Sequence, residues 1–161
     1  MVNLSKITRS NWVACAQLKL ASEQEGLLAP NVYSIAEWHF EPHYTPRAIY
    51  ADDRLVGFLM YCVETDPPDP LLYWLFRFMI DREHQGQGFG KAALRLAIDE
   101  MTQAGANRIR TMHRPRNTVA SRLYRSAGFV EVGTLDDGDT ALELRVETTA
   151  EPPSVVKKAD Q

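Results

Sequence analysis

Apolar and polar residues follow two periods along this chain, and the periods separate predicted strands from predicted helices. Short runs that alternate apolar and polar side chains, or that are rich in β-branched and aromatic residues, predict strands. Apolar stripes with a spacing of three and four residues predict amphipathic helices. The predicted strands cover residues 4–7, 47–51, 54–64, 71–80, 108–112, 129–133 and 140–146, and the predicted helical stripes lie at 12–20, 31–41, 93–101 and 117–127. The order of elements is therefore β-α-α-β-β-β-α-β-α-β-β.

The segment Leu71–Ile80 is almost continuously apolar and aromatic, and Arg77 is its one charge. Such a run is typical of a central strand that is buried on both faces. The preceding segment, Thr65–Pro70, contains three prolines and two aspartates. Because proline lacks the N–H that a sheet ladder needs, we predict a rigid acidic loop at this position.

A glycine-rich loop follows the central strand directly. The strand end Phe78–Ile80 leads into a loop with glycines at positions 86, 88 and 90, and an amphipathic helix starts at once. This order leaves a row of free backbone N–H groups at the mouth of the loop, and a helix N-terminus carries partial positive charge. The loop therefore suits a pyrophosphate. A tight turn without any ligand would also use glycine, because glycine allows positive φ.

Two known types of nucleotide-binding loop fit this segment poorly. A Walker-type loop needs lysine followed by serine or threonine, whose hydroxyl holds magnesium, but Lys91 is followed by Ala92. A dinucleotide-binding loop needs a carboxylate about 20 residues further on, which holds the ribose hydroxyls. Although Gly88–Ala93 matches its relaxed glycine pattern, residues 108–113 contain no acid. The chemistry of the segment disfavours both types.

A third pattern fits at each defined position. Gln85–Gly90 resembles the signature Gln/Arg-x-x-Gly-x-Gly/Ala with which the GNAT N-acetyltransferases bind the pyrophosphate of acyl-coenzyme A. Asn117–Phe129 resembles a second segment of that family, N-x-x-A-x-x-L-Y-x-x-x-G-F, and lies about 30 residues after the loop. Two independent patterns in the correct order are more specific than either pattern alone. The resemblance covers nearly the whole chain except its tail.

The resemblance implies the α/β (α+β) fold of this family, in which about four helices flank a mixed central sheet of six to seven strands. We expect a single domain of this kind over residues 1–146. Residues 147–161 are polar, contain proline and lack any hydrophobic period, so they predict a disordered C-terminal tail.

The same resemblance implies acetyl-CoA as the cosubstrate. The backbone of the strand before the loop would pair with the pantetheine arm, and Asn117 would hold the cofactor at the start of its helix. The cofactor-binding residues that it implies are Phe78, Met79, Ile80, Gln85, Gly86, Gln87, Gly88, Phe89, Gly90, Lys91 and Asn117. Tyr124 occupies the position of the general acid that protonates the departing thiolate in related enzymes. A core tyrosine and a simple helix N-cap are the plain structural interpretations of Tyr124 and Asn117.

The N-terminal half resembles one group within the family, the bacterial spermine/spermidine (diamine) N-acetyltransferases. That group shows N-x-x-S-(L/I)-A-E on the second helix and R-x-M-I-D at the end of the central strand, which residues 31–37 and 77–81 match. A polyamine is a flexible polycation, so its site should offer separated carboxylates and aromatic faces. The predicted acceptor-binding residues are Tyr33, Glu37, Glu41 and Glu64.

The acceptor amine has to lose a proton before it attacks, and the sequence leaves the base open. Animal polyamine acetyltransferases carry a glutamate on the central strand, where this chain has Phe76 or Arg77. Glu37 or Glu64 could act through a water molecule. Neither motif contains cysteine, which disfavours an acyl-cysteine intermediate. The alternatives are the same reaction on another amine (an aminoglycoside, a small amino compound, a protein lysine or N-terminus) or an idle acyl-CoA-binding module.

Composition and charge disfavour several other classes. The formal net charge of −3 gives no basic footprint for nucleic acid, and no apolar run approaches the ~20 residues of a membrane span. Without a signal region or metal-ligand spacing, we expect no export and no metal. Cys15 and Cys62 lie in apolar patterns and predict buried thiols in a reducing, cytoplasmic compartment. A homodimer that pairs through the C-terminal strands would suit the family.

Overall fold

The computed structural model describes residues 1–147, and this part of the chain contains seven strands and four α-helices. The strands are β1 (Val2–Lys6), β2 (Tyr44–Ala51), β3 (Arg54–Thr65), β4 (Pro68–Ile80), β5 (Arg108–His113), β6 (Val130–Thr134) and β7 (Thr140–Arg145), and the helices are α1 (Trp12–Gln17), α2 (Asn31–Phe40), α3 (Phe89–Gln103) and α4 (Thr118–Ser126). The predicted order of elements and the predicted fold class are confirmed. The predicted disordered tail, 147–161, lies outside the described residues except for residue 147.

One mixed sheet contains the seven strands in the order β1-β2-β3-β4-β5-β7-β6. Neighbouring strands are antiparallel except β4 and β5, which are parallel. The β4–β5 ladder joins Leu72–Leu75 to Arg108–Thr111. Beyond this ladder β4 continues to Ile80, and within residues 1–147 its edge toward β5 pairs with no strand. The end of β4 therefore borders a gap where backbone N–H and C=O groups can pair with an extended ligand.

Helices pack on both faces of the sheet and bury two hydrophobic clusters. On one face, α3 and α4 contribute Leu94 and Tyr124 to a core that also contains Ile109 of β5. On the other face, Cys15 of α1 packs in a second cluster with Phe58 of β3. Full burial of a leucine or phenylalanine side chain stabilises the fold by about 1.5–3 kcal/mol. These clusters therefore hold the start of α3 and the apolar face of α4 rigidly beside the end of β4.

The boundary of β4 differs from the sequence prediction. The strand begins at Pro68 instead of Leu71, and the predicted acidic loop is reduced to the turn at residues 66 and 67. At its start β4 pairs with β3 alone, because the ladder to β5 begins only at Leu72. Proline is tolerated there because one edge of the strand needs no ladder hydrogen bond.

The helix α1 ends at Gln17, three residues before the predicted end, and β2 begins at Tyr44 instead of residue 47. The residues after α1 are extended because tertiary hydrogen bonds replace helical ones. The Lys19 N–H donates to Asp81 Oδ2 at 2.8 Å, and the Arg82 N–H donates to the Lys19 carbonyl at 2.8 Å. The segment between α1 and α2 is thereby attached to the end of β4.

Candidate active site

A groove of about 490 Å³ opens where β4 and β5 separate. The end of β4, the start of α3 and one face of α4 form its walls, and the segment between α1 and α2 forms its roof. The predicted residues that line it are Phe78, Met79, Ile80, Gln85, Gly86, Gly88, Phe89, Gly90, Lys91, Asn117 and Tyr124. Gln87 is not among the lining residues. The two sequence motifs thus face one cavity.

Two glycines shape the anion-binding end of the groove. Gly86 and Gly88 have φ angles of 74° and 83°, a region that residues with a Cβ rarely adopt. A Cβ at either position would meet nothing within 4 Å, so the glycines keep open space in front of the loop. Gly88 is also the N-cap of α3. The first-turn N–H groups of α3 lack intrahelical acceptors, so this end of the groove suits a pyrophosphate.

The Gln85 side chain braces the loop. Its amide nitrogen donates to the Ile80 carbonyl at 3.0 Å and to Gln24 Oε1 at 2.7 Å. The first bond joins the loop to the end of β4, and the second joins it to the roof of the groove. A glutamine amide has two N–H donors and can make both bonds at once.

The sequence patterns do not predict the roof. It consists of the segment between α1 and α2, which lines the groove with Leu20, Gln24, Leu27 and Leu28. Leu20 belongs to the helical stripe predicted over residues 12–20, and the rest of the segment has neither the strand period nor the helix period, so hydrophobic periodicity does not predict its place over the groove. The one local sign is the group of leucines beside Gly26 in a region that is otherwise a loop.

Tyr124 lines the groove from α4 and is 4% exposed. Its ring packs against Phe78 and Phe129, with centroids 6.5 and 5.7 Å away. Burial raises the pKa of the phenol to about 12. Tyr124 therefore keeps its proton at neutral pH. Because a free thiol has a pKa near 8.5, a protonated phenol in this position is suited to neutralise a departing thiolate.

Asn117 both caps α4 and lines the groove. Its Oδ1 accepts a hydrogen bond from the Ala120 N–H at 3.1 Å, which satisfies one of the free donors at the helix start. The plain structural interpretation of Asn117 is therefore correct. Its contact with a cofactor stays a prediction, and its place in the groove wall is compatible with it.

The predicted acceptor residues of α2 lie outside the groove, on the side of the sheet that carries α1 and α2. Glu37 Oε2 is 3.4 Å from Arg77 Nη2, and both side chains are partly buried. Tyr33 is exposed. Glu41 Oε2 is 3.7 Å from His43 Nδ1 at the surface. Of this set, the structure brings only Glu37 into contact with the central strand.

A bulge in β4 explains how Arg77 reaches α2. The β3–β4 ladder pairs Leu75 with Tyr61 and Arg77 with Met60, so Phe76 is an extra residue in the strand. In a regular strand successive side chains point to opposite faces. The extra residue breaks this alternation, and both Phe76 and Arg77 face the helices α1 and α2.

Glu64 lies near the β3–β4 turn, at the end of β4 opposite Ile80 and away from the groove. Its carboxylate accepts hydrogen bonds from the N–H groups of Thr65 and Asp66 and from Trp74 Nε1, at 2.9, 3.0 and 2.8 Å. Burial raises the pKa of Glu64, but these hydrogen bonds outweigh burial and hold it below its ordinary value. The carboxylate stabilises the turn, and its role in acceptor binding stays a prediction.

Neither cysteine lines the groove. Burial raises the pKa of Cys15 to about 11 and that of Cys62 to about 12, so both thiols are protonated and weakly nucleophilic near neutral pH. Within residues 1–147, no cluster of three or more His, Cys, Asp or Glu side chains could hold a metal ion. In the same part of the chain, none of the helices is long and apolar enough to cross a membrane.

The gap in the sheet, the glycine loop and the buried phenol border one groove, which agrees with the arrangement that the sequence predicts for an acyltransferase. Residues 12–129 match the family model described as the acetyltransferase (GNAT) family. The chain belongs to the GNAT family of acetyltransferases, and the resemblance seen in its sequence is confirmed.

Relatives within the family act on different amines, to judge from their names. The spermine/spermidine N(1)-acetyltransferase of Bacillus subtilis (strain 168) is 30% identical over 139 residues, which are 84% of this chain and 91% of that protein. The ribosomal protein bS18 alanine N-acetyltransferase of Escherichia coli (strain K12) is 39% identical over 57 residues, 35% of this chain and 38% of that protein. The solved structure of aminoglycoside acetyltransferase AAC(6')-Ib with coenzyme A has a TM-score of 0.76 at 18% identity, over 90% of this chain and 95% of that chain. At 18% identity, the likeness to this aminoglycoside acetyltransferase shows only that the two chains share a fold.

Proposed function

We propose that this protein transfers the acetyl group of acetyl-CoA to a primary amine of a polyamine by direct attack. One observation carries the proposal: a single groove contains both the anion-binding start of α3 and the buried phenol of Tyr124. Membership of the GNAT family supports acetyl transfer as the type of reaction. The cosubstrate, the acceptor and the roles of individual residues are the proposed parts.

The residues of the groove fit acetyl-CoA part by part. The pyrophosphate would lie at the first-turn N–H groups of α3, with the positive charge of Lys91 nearby. The pantetheine arm would pair with the free edge of β4 at Phe78–Ile80 in the manner of an added strand. Phe89 and Leu123 offer apolar surface to its hydrocarbon parts. A volume of about 490 Å³ lies within the ordinary range of small-molecule sites.

The proposed reaction balances atoms and protons with this set of groups. The acceptor ammonium group first gives a proton to the base and so becomes a neutral amine. The amine nitrogen then forms a bond to the thioester carbonyl carbon, and a backbone N–H near the end of β4 stabilises the oxyanion. The carbon–sulfur bond then breaks, and Tyr124 gives its phenolic proton to sulfur, so that coenzyme A leaves as a thiol. The amide nitrogen releases its extra proton to a base, and the Tyr124 phenolate takes a proton from solvent.

Glu37 is the base that we propose, acting through a water molecule. Glu64 is the weaker candidate because its carboxylate already accepts three hydrogen bonds at the far end of β4. Glu37 is partly buried on α2, and its carboxylate lies 3.4 Å from Arg77 of the central strand. The glutamate that animal polyamine acetyltransferases carry on this strand is replaced here by Phe76 or Arg77.

Two observations support a polyamine as the acceptor: the carboxylates on and next to α2, and the sequence identity to a polyamine acetyltransferase. Tyr33 and Glu37 are four residues apart on one side of α2, and Glu41 follows at the C-cap of this helix. Carboxylates and an aromatic face at such intervals suit the separated ammonium groups of a polyamine. The 30% identity to a spermine/spermidine N(1)-acetyltransferase over most of the chain points the same way.

Initial rates of coenzyme A release test the acceptor directly. We expect kcat/KM for spermidine and spermine to exceed that for lysine peptides, an N-terminal alanine peptide and kanamycin by at least about tenfold, which corresponds to 1.4 kcal/mol of discrimination. Turnover confined to one of the other amines would replace the acceptor and leave the acetyltransferase intact. Coenzyme A binding without turnover of any amine would support an idle acyl-CoA-binding module instead.

We also propose a cytoplasmic homodimer that pairs through β6. This strand forms one edge of the sheet, and Val130 and Val132 are exposed on it. Exposed apolar side chains on an open strand edge favour pairing with another strand. The free thiols of Cys15 and Cys62 are compatible with a reducing compartment. Sedimentation velocity should give a dimer for the natural chain and a monomer for Val132→Lys.

A further inference from the structure

The Gln24 side chain lines the groove from its roof, close to the glycine loop. Gln24 ends the short 3₁₀ turn Ser22–Gln24 and belongs to neither sequence motif. Its Oε1 accepts a hydrogen bond at 2.7 Å from Nε2 of Gln85, the residue that precedes Gly86. The roof is therefore joined to the end of the groove that suits a pyrophosphate.

The Ile80 carbonyl determines how both glutamine amides are oriented. A carbonyl oxygen only accepts hydrogen bonds, so the Gln85 atom that lies 3.0 Å from it must be the amide nitrogen. This nitrogen also contacts Gln24, and the Gln24 atom that faces it must therefore be the oxygen. The amide nitrogen of Gln24 occupies the other corner of the same planar group, so it is turned away from Gln85.

The two N–H donors of the Gln24 amide are available to a ligand. Among residues 1–147, Gln24 Nε2 donates to no protein acceptor. It is also not one of the buried polar atoms that lack a partner in this part of the chain, so a ligand can reach it. We propose that Gln24 binds the cofactor, with Nε2 donating a hydrogen bond to a pyrophosphate oxygen of acetyl-CoA. This inference rests on the proposed cosubstrate.

A pyrophosphate under the roof needs donors from more than one side. The first-turn N–H groups of α3 and the charge of Lys91 serve it from the wall of the groove. A charged oxygen that faces the roof loses water, and this loss is costly unless a hydrogen bond replaces it. Of the roof residues that line the groove, the three besides Gln24 are leucines. Gln24 is therefore the lining side chain of the roof that can supply this bond.

Two replacements separate cofactor binding from bracing of the roof. Gln24→Met removes both the donor and the bond to Gln85. Gln24→Glu keeps an oxygen that accepts from Gln85 Nε2, but it has no N–H to offer a phosphate. A purely structural Gln24 could therefore be replaced by glutamate without loss. Ser22→Glu is the matched control for charge, because it adds a carboxylate to the roof at an exposed residue that does not line the groove.

Calorimetric titration with coenzyme A measures the effect on binding. We expect Gln24→Met and Gln24→Glu to bind coenzyme A at least about tenfold more weakly than the natural chain, as for the loss of a hydrogen bond to a charged oxygen. Ser22→Glu should leave the Kd nearly unchanged, and the loss in Gln24→Glu should persist at high salt, which screens charges that are not in contact. An unchanged Kd in Gln24→Glu, or a loss that Ser22→Glu shares, would overturn the inference.

NMR of the Gln24 side-chain amide shows which part of the cofactor it contacts. Its signals are identified by their absence in Gln24→Met. In the natural chain, coenzyme A should move one of these amide protons downfield, and pantetheine, which lacks the pyrophosphate, should not. A downfield shift with pantetheine, or none with coenzyme A, contradicts the pyrophosphate contact. Both experiments measure binding, so a chain that binds coenzyme A but acetylates no amine would contradict the proposed function and leave the role of Gln24 intact.

Discussion

The replacement Gly88→Ala tests the anion site at the start of α3, because the chain offers a matched control for the backbone strain. Gly88 has a φ of 83°, and Gly138 in the turn between β6 and β7 has a φ of 89°. A Cβ at either position would meet nothing within 4 Å. Left-handed backbone costs a residue with a Cβ about 1–2 kcal/mol. The two alanine variants should therefore lose similar amounts of unfolding free energy.

Only Gly88→Ala places a methyl group in the space that the loop keeps open. A pyrophosphate that approaches the first-turn N–H groups of α3 would meet this methyl group. The loss of one hydrogen bond to a charged oxygen costs about 1.5–3 kcal/mol. Coenzyme A should therefore bind Gly88→Ala about 10- to 150-fold more weakly than the natural chain, whereas Gly138→Ala should bind it with unchanged affinity.

Calorimetric titration with coenzyme A and thermal unfolding measure the two effects separately. Both variants should show a lower Tm, by about 2–4 °C for each kcal/mol lost in a chain of this size. Equal coenzyme A affinities for Gly88→Ala and Gly138→Ala would refute the placement of the pyrophosphate at α3. A fall in affinity for Gly88→Ala at a matched loss of stability would support the pyrophosphate site at this loop.

Three further outcomes follow from the site. Tyr124→Phe should lower kcat by about 10²-fold, as expected for loss of a general acid, with the Kd of acetyl-CoA unchanged; an unaltered kcat in stopped-flow assays removes Tyr124 from the mechanism. Glu37→Gln should raise KM for spermidine more than KM for acetyl-CoA, and the variant Asp53→Asn in the exposed β2–β3 turn should change neither; equal effects of the two variants contradict acceptor binding at α2. The pKa of Glu64 is lower in the folded chain than its ordinary value, so its stabilising contribution is complete above the unfolded pKa and disappears as the pH falls through the folded pKa. Urea unfolding of Glu64→Gln should lack this acid-range loss, and a pH dependence identical to that of the natural chain would show that Glu64 does not cause it.

The fold could be predicted from the sequence wherever local patterns determine it. The apolar run that ends at Ile80 specifies a buried strand, and the glycines that follow require a turn before α3. The stripe of α4 and the glycine at its end specify a helix of nine residues. These features depend on neighbours in sequence, so periodicity and turn chemistry are sufficient for them. The position of β7 between β5 and β6 depends on distant pairing, which no local pattern encodes.

The part of the candidate site that the two sequence motifs form could be predicted, because it depends on backbone geometry that the motifs specify. The roof could not be predicted, because Gln24 takes its place through a bond to the distant Gln85 side chain. The contact between Glu37 and Arg77 depends on the extra residue in β4. A β-bulge leaves no periodic pattern in the sequence, so it could not be predicted. Each of these features arises from tertiary contacts.

The short ladder between β4 and β5 has a consequence for the cooperativity of the molecule. Four residue pairs join the strands β1 to β4 to the unit of β5, β6 and β7. A ligand in the groove touches β4 on one side of this seam and α4 on the other. Bound coenzyme A would therefore add contacts between the two halves of the sheet, and the unfolding of one half would become coupled to that of the other. Amide hydrogen exchange should then slow on ligand binding far beyond the groove, in β7 as well as in β4.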